Sequence, residues 1–108
     1  MVNNRKARFN YEILEEYNAG IVLIGSEVKS IKSGHVSIEE AYCYFKDGEL
    51  FIKNMYVKPY EMSRDELDSK RDRKLLLKKS ELRKLESTIS EKGLTLIPLM
   101  LTNKKRIK

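Results

Sequence analysis

The sequence predicts an α+β domain, mostly β, built around a curled antiparallel sheet with peripheral helices. Three observations carry that prediction. Asp47-Gly48 separates two β-rich runs, which marks a tight hairpin. The continuous apolar block Ile21-Val22-Leu23-Ile24 ends at Gly25 and passes into a short basic segment, as a buried strand entering a helix would. Leu82, Leu85 and Ile89 fall on one helical stripe that closes at Gly93.

Taken in order, the chain opens with a basic lead, Asn4-Arg5-Lys6-Ala7-Arg8. Tyr11, Ile13 and Glu15 then share one face of an extended run, and Gly20 and Gly25 punctuate the apolar block. Gly25 allows a sharp turn, and Ser26 can cap a helix on which Val28 and Ile31 share a face while Lys29 and Lys32 project elsewhere. Gly34 can end it. Ala41 to Phe45 and Glu49 to Ile52 form the hairpin strands, and Met55, Val57 and the Pro59-Tyr60 step continue the sheet. Glu61 to Lys70 is charged and small, and reads as an exposed loop. Arg71-Asp72-Arg73-Lys74 precedes Leu75-Leu76-Leu77, where three leucines need burial and the charges need water or phosphate. Ser80 is placed to cap the last helix. Leu94 to Leu101 reads as a strand bent at Pro98, followed by the basic Asn103 to Lys108.

The 108 residues suit one modest domain. With 22 Lys and Arg against 16 Asp and Glu, the formal charge is +6 and the pI about 9.4, which favours an anionic partner. The single cysteine, Cys43, sits in an apolar run and reads as a small buried hydrophobe, so a reduced, cytoplasmic setting is expected. No apolar stretch approaches the ~20 residues that span a bilayer, so no membrane partner is expected. An enzyme is not expected either. His35 is the only histidine, Glu15-Glu16 and Glu39-Glu40 are adjacent pairs that point apart, and no phosphate-binding Gly-Lys-Ser or Gly-Lys-Thr loop occurs. Metal and cofactor are both expected to be absent.

Ala19 to Gly34 resembles the small protein B (SsrA-binding protein) family, and the likeness runs on through nearly the whole chain. Its further blocks are the opening basic motif, Asp47-Gly48-Glu49, Asn54 with Pro59-Tyr60, Arg71 to Leu77, Glu91 to Leu96, and Pro98-Leu99. The resemblance implies an oligonucleotide-binding-like antiparallel β-barrel. It also implies a noncatalytic role in clasping the transfer-RNA-like domain of transfer-messenger RNA and supporting its delivery to stalled ribosomes. Implied partners are transfer-messenger RNA, the ribosome, and elongation factor Tu with the aminoacylated RNA. Candidate RNA contacts are Asn4, Arg5, Lys6, Arg8, Asn18, Lys29, Lys32, Arg73, Lys74 and Leu76, with a core role open for Leu76. Asn18 stands where the family has an acidic residue, which keeps hydrogen bonding but removes the charge. The loop at Glu61 to Lys70 lacks the family's His-Asp-Pro run. Family members also continue into a further strand and a basic tail, so RNA binding is expected to survive better than ribosomal accommodation, and an unpaired barrel edge is expected. Two alternatives stand beside this reading: a reduced RNA binder that no longer completes rescue, and a protein-interaction module. Tyr42, Tyr44, Tyr56 and Tyr60 could stack on unpaired bases, but core packing is expected for most of them and they are left out of the candidate site.

Overall fold

The computed structural model describes residues 2–59 and 70–101. In chain order these give β1 (Val2–Asn3), α1 (Arg5–Asn10), β2 (Gly20–Ile21), α2 (Gly25–Lys32), β3 (Val36–Ser37) and β4 (Tyr42–Lys46). There follow β5 (Glu49–Lys53), β6 (Tyr56–Val57), β7 (Arg73–Leu76), α3 (Lys79–Lys92) and β8 (Met100–Leu101). The class is α+β and mostly sheet, as the sequence predicts.

The β4–β5 hairpin forms where expected. Asp47 and Gly48 both take positive φ, 52° and 77°, as a two-residue turn matching the strands' right-handed twist requires. Its register, Lys46 against Glu49 through Tyr42 against Lys53, sets the faces of a four-stranded sheet ordered β2-β7-β5-β4. Alternation then sends Cys43, Phe45, Leu50, Ile52, Arg73, Leu75 and Ile21 to one face. Gly20, Val22, Tyr42, Tyr44, Phe51, Lys74 and Leu76 go to the other.

Two further pairs complete the sheets: β3 with β6, and β1 with β8. Cys43 also bridges Leu96, its amide donating to the Leu96 carbonyl at 2.9 Å. Among the described residues these ladders form three sheets around one core and do not close into a barrel. That core is Ile38, Ala41, Ile52, Met55 and Val57, flanked by Ile21, Ile31 and Leu75. Asn54 takes φ 63°, a conformation asparagine tolerates, and the turn puts Met55 at 0% exposure.

Other elements differ from expectation. The basic lead is a helix, α1, and residues 12–19 have no regular structure. The apolar block pairs only through Gly20–Ile21, with one more bond from the Val22 amide to the Lys74 carbonyl at 2.9 Å, and Val22 is exposed. Leu76 is 44% exposed, so the leucine run is not wholly buried. For α2 and α3 the cap is not serine. Glu27 Oε1 accepts from the Ile24 amide at 3.1 Å, and Glu81 Oε1 accepts from the Lys78 amide at 3.2 Å. Gly93, at φ 64°, ends α3 as predicted. The expectations for Tyr60, most of the Glu61 to Lys70 loop and the basic Asn103 to Lys108 lie outside the described residues.

Cys43 faces the core side, and burial pushes its thiol up to about 12. At pH 8 the native protein should therefore react with iodoacetamide roughly two to three orders of magnitude more slowly than the urea-unfolded chain. A native rate within tenfold of the unfolded rate would show the thiol to be open.

Candidate nucleic-acid interface

The cations separate by what the strands do with them. In Arg73-Lys74 the period-2 alternation drives one side chain inward and the next outward. Arg73 has no side-chain exposure, and Glu27, on the first turn of α2, is 6% exposed. Arg73 Nε and Nη2 donate to Glu27 Oε2 at 2.7 and 2.5 Å, and Arg73 Nη1 donates to the Met55 carbonyl at 2.8 Å. Arg71 Nε and Nη2 reach the same carboxylate at 3.2 and 2.5 Å. One buried carboxylate thus takes two guanidiniums. Burial alone would push Glu27 up, yet the Arg71 and Arg73 hydrogen bonds and the Ile24 amide hold it below the usual carboxylate range. The network locks α2 onto β7. Ser30 adds a second tie, its hydroxyl donating to the Lys58 carbonyl at 2.6 Å.

Asn4 is likewise interior, at 1% exposure. Its Nδ2 donates to the Ile38 and Pro98 carbonyls at 3.1 and 2.9 Å, and its Oδ1 accepts from the Ala7 amide at 3.0 Å, capping α1. Asn4 and Arg73, two of the candidate RNA contacts, thus have their polar atoms turned inward and satisfied within the protein.

The remaining candidates lie on the surface in three groups. Arg5, Lys6 and Arg8 project from α1, with Lys6 Nζ 2.7 Å from Glu40 Oε1 and Arg8 Nη1 3.6 Å from Glu16 Oε1. The Glu40 hydrogen bond and charge raise the Lys6 pKa and lower that of Glu40. Lys29 and Lys32 are both exposed residues of α2. Pairing with β2 places Lys74 and Leu76 on one face, and Asn18 precedes that strand. Gly20 lies opposite Leu76, Val22 bonds across to Lys74, and exposed Asn18 stands two residues before Gly20. A Cβ on Gly20 would meet the Leu76 Cβ at 3.4 Å, so the glycine leaves the leucine uncovered. Lys74 Nζ keeps a 3.1 Å contact with Glu49 at the half-exposed rim.

This outer face also carries Tyr44 and Phe51, stacked with centroids 5.7 Å apart, and Tyr42, 39% exposed. Tyr42 and Tyr56 are thus surface residues and not core packing. An uncovered leucine, open aromatic rings and a lysine on one sheet face suit RNA, which is held by phosphate contacts and by stacking on its unpaired bases. Glu27 and Arg71 were not marked by the sequence as a pair, since 44 residues separate them. Among the described residues no group of three His, Cys, Asp or Glu side chains is placed to hold a metal. No described helix is long and apolar enough to cross a membrane.

The family model for the SmpB protein matches residues 1–108. The chain belongs to the SmpB family. An SsrA-binding protein of Chlorobaculum tepidum is 52% identical over 106 residues, covering 97% of this chain and 68% of that one. That of Chlorobium phaeovibrioides is 54% identical over 99 residues, 91% of this chain and 63% of its own. The Thermus thermophilus protein is 51% identical over 100 residues, 92% and 69%. The chain therefore spans roughly two thirds of the length of these SmpB relatives. A solved chain described as "tmRNA-SmpB: a journey to the center of the bacterial ribosome" superposes with a TM-score of 0.72 at 52% identity. The match covers 91% of this chain and 69% of that one.

Proposed function

We propose that the protein binds the transfer-RNA-like domain of transfer-messenger RNA and supports its delivery to stalled ribosomes in trans-translation. The observation that carries this reading is the open outer face at the β2–β7 edge. There Leu76 and Lys74 stand beside Gly20 and Asn18, braced from behind by the buried Glu27–Arg71–Arg73 network. Relatives named for binding SsrA, and a structural neighbour described with tmRNA in the ribosome, support the choice of RNA. The whole chain acts as one RNA-binding unit whose curved sheets serve as an open barrel wall. Arg5, Lys6, Arg8, Lys29, Lys32 and Lys74 supply phosphate contacts, and Asn18 and Leu76 supply local fit. Asn4 and Arg73 act through the fold. The role is noncatalytic and cytoplasmic, needs no cofactor, and brings in the ribosome and elongation factor Tu with the aminoacylated RNA as partners.

The test is a titration of labelled transfer-RNA-like domain at two salt concentrations, with ordinary transfer RNA and an unrelated hairpin as competitors. Competition by the cognate RNA alone is expected. Lys74→Ala should weaken binding and reduce the salt slope by about one, because a phosphate that is no longer neutralised keeps its condensed counterion. Equal competition by every RNA would reduce the protein to a nonspecific basic domain. An unchanged slope for Lys74→Ala would remove that residue from the interface.

A further inference from the structure

A cleft of about 310 Å³ opens between α1 and the start of β4, away from the β2–β7 edge. Its walls carry Lys6, Asn10, Tyr11, Glu39, Tyr42 and Thr95. Its floor includes Asn4, Ala7 and Ala41, all at 5% exposure or less. The floor is fixed by the three side-chain hydrogen bonds of Asn4, so the cleft is present before any ligand arrives. Its size lies at the low end of small-molecule sites, enough for one nucleotide and too little for a stretch of chain.

The lining is specific in its chemistry. Tyr11 and Tyr42 come from two different parts of the chain and are 52% and 39% exposed, so each ring has surface left for a planar group. Glu40 takes the Lys6 hydrogen bond at 2.7 Å, whereas Glu39 is an exposed carboxylate outside that bond, its charge also felt by Lys6. Among the bases only guanine presents two adjacent donors, N1–H and the N2 amino group, on its Watson–Crick edge, and a carboxylate accepts both. Lys6 gives the attached phosphate a cation at the rim. A flat cationic side chain such as arginine would also suit tyrosines and a carboxylate. It would, however, have to approach a chain of net charge +6 past a wall lysine.

We infer that this cleft holds a single unpaired guanine nucleotide of the bound RNA, the base edge on Glu39 and its face on Tyr42. The assignment rests on the RNA-binding reading above, and adds a base-reading subsite to an interface of phosphate contacts and local fit.

The experiment titrates the ¹⁵N-labelled full chain with guanosine, adenosine, cytidine and uridine monophosphates, inorganic phosphate, and N-acetyl-arginine amide. Guanosine monophosphate is expected to shift the amides of Asn10, Tyr11, Glu39 to Tyr42 and Thr95, and to bind more tightly than every other probe. Tyr42→Ala should weaken it by about fivefold or more, the scale of one base stacked on an aromatic ring. Tyr42→Phe, which keeps the ring, should not weaken it. Glu39→Gln should bring guanosine monophosphate down to the level of adenosine monophosphate. Equal shifts from all four nucleotides and phosphate, a silent cleft, or a preference for the arginine amide would overturn the assignment. The titration with the transfer-RNA-like domain separates the two failures. Retained RNA binding with a silent cleft defeats this inference alone, and absent RNA binding defeats the reading beneath it.

Discussion

Arg73→Ala is expected to lower stability by about 3–5 kcal/mol, the cost of removing one partner from a buried ion pair, and in a small domain that approaches complete unfolding. Arg73 has no exposed side-chain surface, and it bonds both Glu27 and the Met55 carbonyl. Alanine there leaves a cavity, a Met55 carbonyl without its guanidinium donor, and a carboxylate held by Arg71 and the Ile24 amide. Urea unfolding checks it, with Lys74→Ala as the control: the neighbour should keep its midpoint and lose RNA affinity, while Arg73→Ala loses the midpoint itself. A normal midpoint with weakened RNA binding would return Arg73 to the interface. The same network sets a pH dependence. Because Glu27 is held below its ordinary value of 4.5 when folded, the unfolded chain takes up the proton first on acidification. The carboxylate's contribution is complete above the unfolded value and is lost as pH falls through the folded one. Below about pH 4.5 the wild-type urea midpoint should therefore fall more steeply than that of Glu27→Gln, which has no charge to titrate.

Asn4→Ala is the second large effect, expected to cost about 2–4 kcal/mol as the sum of a helix cap and stranded buried carbonyls. The cap is typically worth about 0.5–2 kcal/mol, and an unsatisfied buried group costs about 1–3 kcal/mol. Asn4→Asp discriminates between these parts. Aspartate is as good a cap as asparagine, but it has no N–H to offer Ile38 and Pro98, and it turns a charge toward two carbonyl oxygens. If capping were the whole role, the aspartate variant would match wild type. Its midpoint is instead expected to fall at least as far as that of the alanine variant, with faster amide exchange at Ala7.

These two residues also mark where the sequence alone ceases to be legible. The β4–β5 hairpin can be read because Asp47-Gly48 fixes a turn type locally, and α3 because its leucine stripe and Gly93 stop lie within one segment. Arg73 looks like one cation in a row of charges. Its fate depends on alternation with Leu75 and on a carboxylate 46 residues away, and only the second fact makes burial tolerable. Asn4 looks like part of a basic surface because its partners, Ile38 and Pro98, are remote in sequence, and α1 escapes notice for the same reason: its cap is seated from a distance. At the candidate interface, Lys29, Lys32 and Lys74 can be picked out as cations from type alone. That Gly20 uncovers Leu76 is a matter of register, which no local pattern records.

The pairing of β1 with β8 bears on the order in which the molecule is assembled. Val2 meets Leu101, and the Asn4 amide donates to the Leu99 carbonyl at 2.8 Å, so residues 2–4 are completed by residues almost a hundred positions later in the chain. Closing so long a loop is slow compared with forming a hairpin. The hairpin can form as the chain emerges, whereas α1, with Arg5, Lys6 and Arg8, has no seat until residues 98–101 are available. Newly made protein should therefore acquire its β4–β5 hairpin before the basic helix α1 is seated, and RNA affinity that draws on that helix would be gained after the hairpin forms.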